Sequence, residues 1–182
     1  MEIQPKGIVA CSFSHHEIIL TEIIFAGILD DLDPEEIAAV LSCIVYRGKQ
    51  PKPLMLTPTI EEKIQEVKDI AAYIAGHEKE YNKEFDFEDY VEQFKPGFAD
   101  VVYEWARGEK FEVIIDLAGG IPEGEIVNTI QQLINTCHEM HKACKCKEVG
   151  NSRFGVMVDV ASNLLKRDIF AVPSLYTQLH SS

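Results

Sequence analysis

The sequence predicts an all-α fold, a bundle of about eight helices entered by one short β-strand. Three observations carry that expectation. Apolar residues recur every three or four positions through most of the chain. Helix-start signals stand at Asp33-Pro34-Glu35-Glu36, at Thr59-Ile60-Glu61-Glu62 and at Pro122. Glycines close the periodic segments at Gly27, Gly108 and Gly119.

Gly7 to Phe13 is short, apolar and β-prone, and reads as the entering strand. His16 to Ala26 carries Ile18, Ile19, Ile23 and Ile24 at helical spacing, with Gly27 as its stop. Asp33 caps a helix that starts at Pro34 and runs to about Val45, with Ile37, Ala38, Leu41 and Ile44 inward. Gly48, Pro51, Pro53 and Pro58 make residues 47–58 a loop, because proline fixes φ and removes a backbone donor. Thr59 to Glu62 reads as a capping box opening a long helix with Ile60, Ile64, Val67, Ile70, Ala71 and Ile74 on one stripe. Residues 77–90 are charged and aromatic, with a turn near Asn82. Helices follow over Phe87–Phe94, Phe98–Arg107 and Lys110–Leu117, broken by Pro96-Gly97 and by Gly108. Gly119-Gly120-Ile121 turns into the longest helix, Pro122 to about Cys146, and after Gly150-Asn151 a last helix spans Ser152–Arg167.

The 182 residues are 46% hydrophobic and 26% charged, the composition of a globular chain that needs neither metal nor disulfide to fold. Five irregularly placed cysteines fit reduced thiols in an intracellular setting. No apolar run reaches the ~18 residues of a membrane span, and no signal peptide is seen at the N-terminus. The net charge of −13 argues against a free-standing nucleic-acid binder, since such affinity rests largely on Lys and Arg. That charge is uneven. Residues 59–121 hold 7 basic and 16 acidic side chains, whereas residues 122–182 hold 6 of each, so a polyanion would meet the last third.

No catalytic constellation emerges. Gly119 and Gly124 stand at P-loop spacing, but Glu125 and Ile126 follow where a phosphate loop needs Lys and Ser or Thr, which leaves a glycine-bearing turn into a helix. Cys137, His141 and Cys144 share a helix face at zinc-like spacing, yet that face continues the apolar stripe of Ile126, Ile130, Leu133 and Ile134; the core reading is preferred and no metal is expected. Cys11 near His15 and His16, and Cys43 alone, lack the orienting partner a nucleophile needs. Trp105 reads as a packing residue between elements. The Gly108 break resembles a helix-turn-helix, but residues 111–117 carry Glu112 and Asp116 and no basic residue.

The long helix is the informative element. Opposite its apolar face stand Asn128, Gln131, Gln132, Asn135, Glu139 and Lys142. Four of the six are amides, which offer donors and an acceptor together and can bond a base edge without net charge. A solvated outer face is the default for such a pattern, and the residues alone favour it over contact with a single strand.

Several stretches taken together resemble a known domain. They are Lys6-Gly-Ile-Val-Ala-Cys11, Leu20-Thr-Glu22, Leu32-Asp-Pro-Glu-Glu-Ile-Ala-Ala-Val-Leu-Ser-Cys43, Val101-Val-Tyr-Glu-Trp-Ala-Arg-Gly108, Glu123-Gly124, Gly150-Asn151, Lys166-Arg-Asp-Ile169 and Ser174-Leu-Tyr176. In order and spacing they resemble the C-terminal DSHCT domain of superkiller-type and exosome-associated DExH-box RNA helicases. The resemblance implies residues 1–14 as an entry strand and linker, and residues 15–182 as a helical bundle packed on two RecA-like motor domains of the same chain. It implies that the helix at about 122–146 is a ratchet-like helix lining the RNA channel, with Asn128, Gln131, Gln132, Asn135 and Lys142 as the candidate contacts to single-stranded RNA. Gln132 and Asn135 fall where the family usually carries an arginine and a glutamate, so the charge-assisted part of that contact is missing here. The parent enzyme would use ATP and magnesium, work with exosome-associated proteins, and act in the cytoplasm or the nucleus. This chain carries no Walker A motif and no Asp-Glu-x-His or Asp-Glu-x-Asp box, so no catalysis of its own is expected. The reading of a different class is a protein–protein docking module without RNA contact.

Overall fold

Nine α-helices and no strand make up the described residues, 4–49, 55–150 and 152–166 of a computed structural model. The expected N-terminal strand is instead helix α1, Pro5–Ala10. Pro5 sits at the first helical position after an extended Gln4, and Val9 is buried against the body of the bundle. A short apolar run does not tell strand from helix by itself, and a strand needs a neighbour to pair with; among the described residues none exists.

The helices that follow are α2 (Glu17–Ala26), α3 (Pro34–Val45), α4 (Pro58–Tyr81), α5 (Phe87–Glu92), α6 (Ala99–Arg107), α7 (Phe111–Ala118), α8 (Glu123–Cys144) and α9 (Ser152–Lys166). Their ends follow the chemistry of their caps. At α3 the Glu36 carboxylate accepts the Asp33 N–H at 3.1 Å, half of a capping box. The α4 cap is Thr57 rather than Thr59: its hydroxyl accepts the Ile60 N–H at 3.3 Å, and Pro58 occupies the first helical position, where its missing donor costs nothing. Asp86 caps α5 by accepting from Asp89 N–H at 2.9 Å. Gly27, Gly108 and Gly119 end α2, α6 and α7 in the left-handed region that glycine enters freely. The long helix stops at Cys144, two residues short of the expected end. The expected end of the last helix at Arg167, the loop prolines Pro51 and Pro53, Asn151 and the stretches after Lys166 lie outside the described residues.

Helix α3 is the axis of the bundle. Every residue from Ile37 to Ala39 and from Val40 to Ile44 is buried, where a one-sided pattern predicts only four inward positions. A helix apolar all round must be covered all round. Here α4, α6, α8 and α9 supply the cover. At about 1.5–3 kcal/mol for each fully buried aliphatic side chain, the Ile, Val and Leu side chains of α3 contribute strongly to the core. Its C-terminal end is closed by Tyr46 stacked on Phe98, ring centroids 4.9 Å apart.

Helices α8 and α9 make the most extensive helix pair. Gly155 of α9 lets the two approach: a Cβ there would lie 3.0 Å from Cys144 Cβ. His141 Nδ1 bonds the Gly155 carbonyl at 2.8 Å across the same contact. Trp105 is 2% exposed and donates its indole N–H to the Leu165 carbonyl at 3.0 Å, tying the end of α9 to α6.

Candidate functional site

Helix α8 rises about 33 Å over its 22 residues. Ile126, Ile130, Leu133, Ile134, Cys137 and Met140 face the core. Asn128, Gln131, Gln132, Asn135 and Lys142 are all exposed. Among the described residues none of these five side chains has a protein hydrogen-bond partner, so their donors and acceptors face solvent. Steps of three and four residues order the face into two rows. One is Asn128, Gln132, Asn135 and Glu139; the other is Gln131, Asn135, His138 and Lys142.

A groove of about 620 Å³ runs beside the middle of this face. Gln132, Asn135, Thr136, His138 and Glu139 form one wall; Ser14, His15, His16 and Val45 form the other. The structure thus brings Gln132 and Asn135 into a shared concavity, while Asn128, Gln131 and Lys142 lie on the same helix outside it.

The second wall is the link between α1 and α2, and it is held in place. Phe13 is buried beneath it. Ser14 donates its hydroxyl to Glu139 Oε1 at 2.6 Å and its backbone N–H to Glu139 Oε2 at 3.2 Å. Glu139 is therefore occupied as a tether, and part of its negative charge is met by two donors. His16 follows with φ 57°, the one non-glycine residue in the left-handed region among those described. Held strain of this kind needs a surrounding that over-determines it, and the Ser14 clamp supplies part of that.

His16 and His138 favour the neutral form. Burial lowers the His16 pKa, and Arg47 lowers it further, against Glu17. Burial lowers that of His138, with Lys166 adding to the effect and Asp159 opposing it. Lys166 Nζ lies 2.8 Å from His138 Nε2, the geometry of an ammonium donating to a neutral ring. At neutral pH the groove thus offers amides, a hydroxyl and the neutral rings of His16 and His138, the latter bonded by Lys166. A second depression of about 500 Å³ lies between α4 and α5, but Glu84, Asp86 and Glu88 outnumber Lys79 and Lys83 in its lining. A phosphate chain is repelled there.

Cys137 is fully buried with its thiol pushed up to about 12, and burial likewise pushes Cys144 up to about 11. Both are poor thiolate donors. Among the described residues no three His, Cys, Asp or Glu side chains gather where they could hold a metal ion. Gly124 lies in the first turn of α8 and Gly119 ends α7, so the pair at P-loop spacing does not form one loop.

Sequence reasoning missed Ser14, His15, His16, His138 and Lys166. Ser14 and Glu139 are 125 positions apart, and nothing in either local pattern announces the contact. The adjacent histidines at a helix start were the available hint.

The sequence profile of the DSHCT (NUC185) domain matches residues 1–172. The chain is 39% identical over 176 residues to the DExH-box ATP-dependent RNA helicase DExH11 of Arabidopsis thaliana, covering 96% of this chain and 13% of that protein. It is 38% identical to superkiller complex protein 2 of Homo sapiens, covering 97% and 14%. Against the exosome RNA helicase MTR4 of Homo sapiens the identity is 34%, covering 96% and 16%. The chain therefore spans about a seventh of the length of the curated relatives it matches.

Proposed function

Since the chain belongs to the DSHCT family, we propose that it is the non-catalytic, strand-guiding part of an ATP-dependent 3′-to-5′ RNA helicase of the exosome-cofactor type. Single-stranded RNA lies along the exposed face of α8, contacted by Asn128, Gln131, Gln132, Asn135 and Lys142. RecA-like motor domains of the same protein pull that strand and bind ATP and magnesium. No Walker A motif or Asp-Glu box occurs in this sequence, so the power stroke is supplied elsewhere. Exosome-associated proteins receive the product in the cytoplasm or nucleus.

The observation that carries this reading is the row of exposed amides without protein partners, flanked by a groove at Gln132 and Asn135. An amide can both donate to and accept from a base edge, and it grips without the strong Coulomb attraction that would stall a moving strand. Helix α8 supports the face rigidly because its other side is buried against α3 and α9. The mechanism is mechanical: the helix braces bases between strokes made by the motor.

The test is equilibrium binding of a fluorescent oligouridylate to this chain. Replacing Gln132→Ala and Asn135→Ala together removes two neutral hydrogen-bonding groups, each about 0.5–1.5 kcal/mol, and should weaken binding roughly five- to a hundred-fold. Unchanged affinity in that double variant sinks the RNA reading and leaves protein docking as the role of the domain.

A further inference from the structure

The reading above leaves the groove at Gln132 and Asn135 without a cation contributed by α8, although contact with a polyanion there calls for one. Gln132 and Asn135 carry no charge, and Lys142, one turn beyond His138, bonds no lining residue among those described, whereas Lys166, itself outside the lining, bonds His138. Amides can meet bases, but phosphates are met chiefly by Lys and Arg. We propose that Lys166, delivered from α9 and seated on His138, is the phosphate-contacting cation of this groove. The inference rests on the RNA reading of α8.

Four observations converge on Lys166. First, the fold aims it. Helix α9 crosses α8 with Gly155 against Cys144, which brings its C-terminal turn beside His138, a groove-lining residue. Second, its position is fixed from behind, because the preceding Leu165 is pinned by Trp105 through a buried hydrogen bond. Third, its partner is a neutral acceptor. Lys6, Lys63 and Lys95 pair with Glu22, Glu66 and Glu92, whereas Lys166 makes no ion pair among the described residues. An imidazole orients an ammonium without cancelling its charge and leaves two N–H donors for a phosphate oxygen. Fourth, the acid on the neighbouring α8 position, Glu139, is turned to Ser14 on the opposite wall.

The resulting site is split by chemistry. Amides of α8 meet bases, and a cation of α9 meets the backbone at the groove's edge. The competing explanation is a structural one: a lysine in the last turn of a helix also favours the helix dipole. A salt series separates the two, because a structural role leaves the number of phosphate contacts unchanged.

The experiment is binding of a fluorescent decauridylate to this chain over a series of salt concentrations. The variants are Lys166→Gln, Lys166→Arg, the Gln132→Ala/Asn135→Ala pair and, as a remote control, Lys95→Gln. For Lys166→Gln we expect about a five-fold loss of affinity at low salt. The slope of log K against log salt should become shallower by about 0.7, one phosphate contact on a single strand. Lys166→Arg should keep the parental slope, and so should the amide pair while it loses affinity. An unchanged slope in Lys166→Gln, with binding still weakened by the amide pair, overturns this inference and leaves the α8 reading standing. A slope change of the same size in Lys95→Gln also overturns it, since the loss would then be of net charge rather than of a contact. No effect in Lys166→Gln or in the amide pair brings down both.

Discussion

Replacing Trp105 by phenylalanine should cost the chain about 3 kcal/mol. Leu165 belongs to the last described turn of α9. Its oxygen is satisfied by the indole N–H at 3.0 Å in a buried setting. Phenylalanine keeps an aromatic ring against Phe111, whose centroid lies 6.0 Å away, but it strands that carbonyl. Stranding a buried acceptor costs about 1–3 kcal/mol. The smaller ring adds a partial cavity in a region where Trp105 is 2% exposed, about another 1 kcal/mol. For a domain of this size about 3 kcal/mol lowers the thermal midpoint by roughly 6–12 °C. The assay is urea unfolding followed by far-ultraviolet circular dichroism, because Trp105 is the single tryptophan and its fluorescence vanishes with the substitution. A loss below about 1 kcal/mol would refute the reasoning, for it would mean that the α9 terminus finds water once the indole is gone.

Two glycines inside helices should respond in opposite directions. Gly155→Val drives a side chain into Cys144 Cβ, which already lies 3.0 Å from the position of the first added carbon, and should cost about 1–3 kcal/mol by overpacking. Gly76→Ala, in α4 with nothing within 4 Å of the added carbon, should gain up to about 1 kcal/mol from helix propensity; chemical denaturation of both variants checks the contrast. Stability should also fall as pH drops below about 6.5. The folded His16 and His138 bind protons less readily than the unfolded chain, so the unfolded state takes up protons first and gains relative to the folded one. Arg47, His15 and Glu17 face His16, and the first two oppose its protonation. His16→Asn, which tolerates the left-handed backbone, should flatten that part of the pH profile of the thermal midpoint; an unaltered profile would assign the fall to other groups.

Local signals in the sequence located most helices well, and the reason is physical. Asp33-Pro34 and Gly108 act within one turn, so their effect on a helix end does not depend on what packs beside it. The failures came where local signals compete. At Gly7 to Phe13 the apolar run suits strand or helix equally, and the Pro5 start signal decided for the helix. At α4 two threonines could cap, and Thr57 won because Pro58 beside it fits the first helical position. The exposed α8 face was legible because a 3.6-residue period separates Gln132 and Asn135 from Leu133 and Cys137 without any knowledge of the rest. The groove was not. Its second wall is a non-helical link held by a single long-range carboxylate contact, and its cation arrives from another helix altogether.

The charge distribution bears on the function more than the total of −13 suggests. The α4–α5 region carries the anionic depression lined by Glu84, Asp86 and Glu88, while the α8 face carries amides, Lys142 and one acid that is tied down by Ser14. Charges more than about 8 Å away are largely screened at physiological salt, so a strand on α8 senses mainly the groups within the groove. On the proposed reading, the acidic remainder would exclude RNA from wrong surfaces without much weakening the right one. On the proposed reading, dividing the amides of α8 from the Lys166 cation of α9 has a further consequence. Base contacts and the phosphate contact then sit on two helices whose mutual position is set by Gly155, His141 and Trp105. A packing defect between α8 and α9 should therefore weaken RNA binding even when every contacting side chain is intact. Gly155→Val tests this directly: if it stays folded and binds the decauridylate with parental affinity and salt slope, the two-helix arrangement is not what holds the strand.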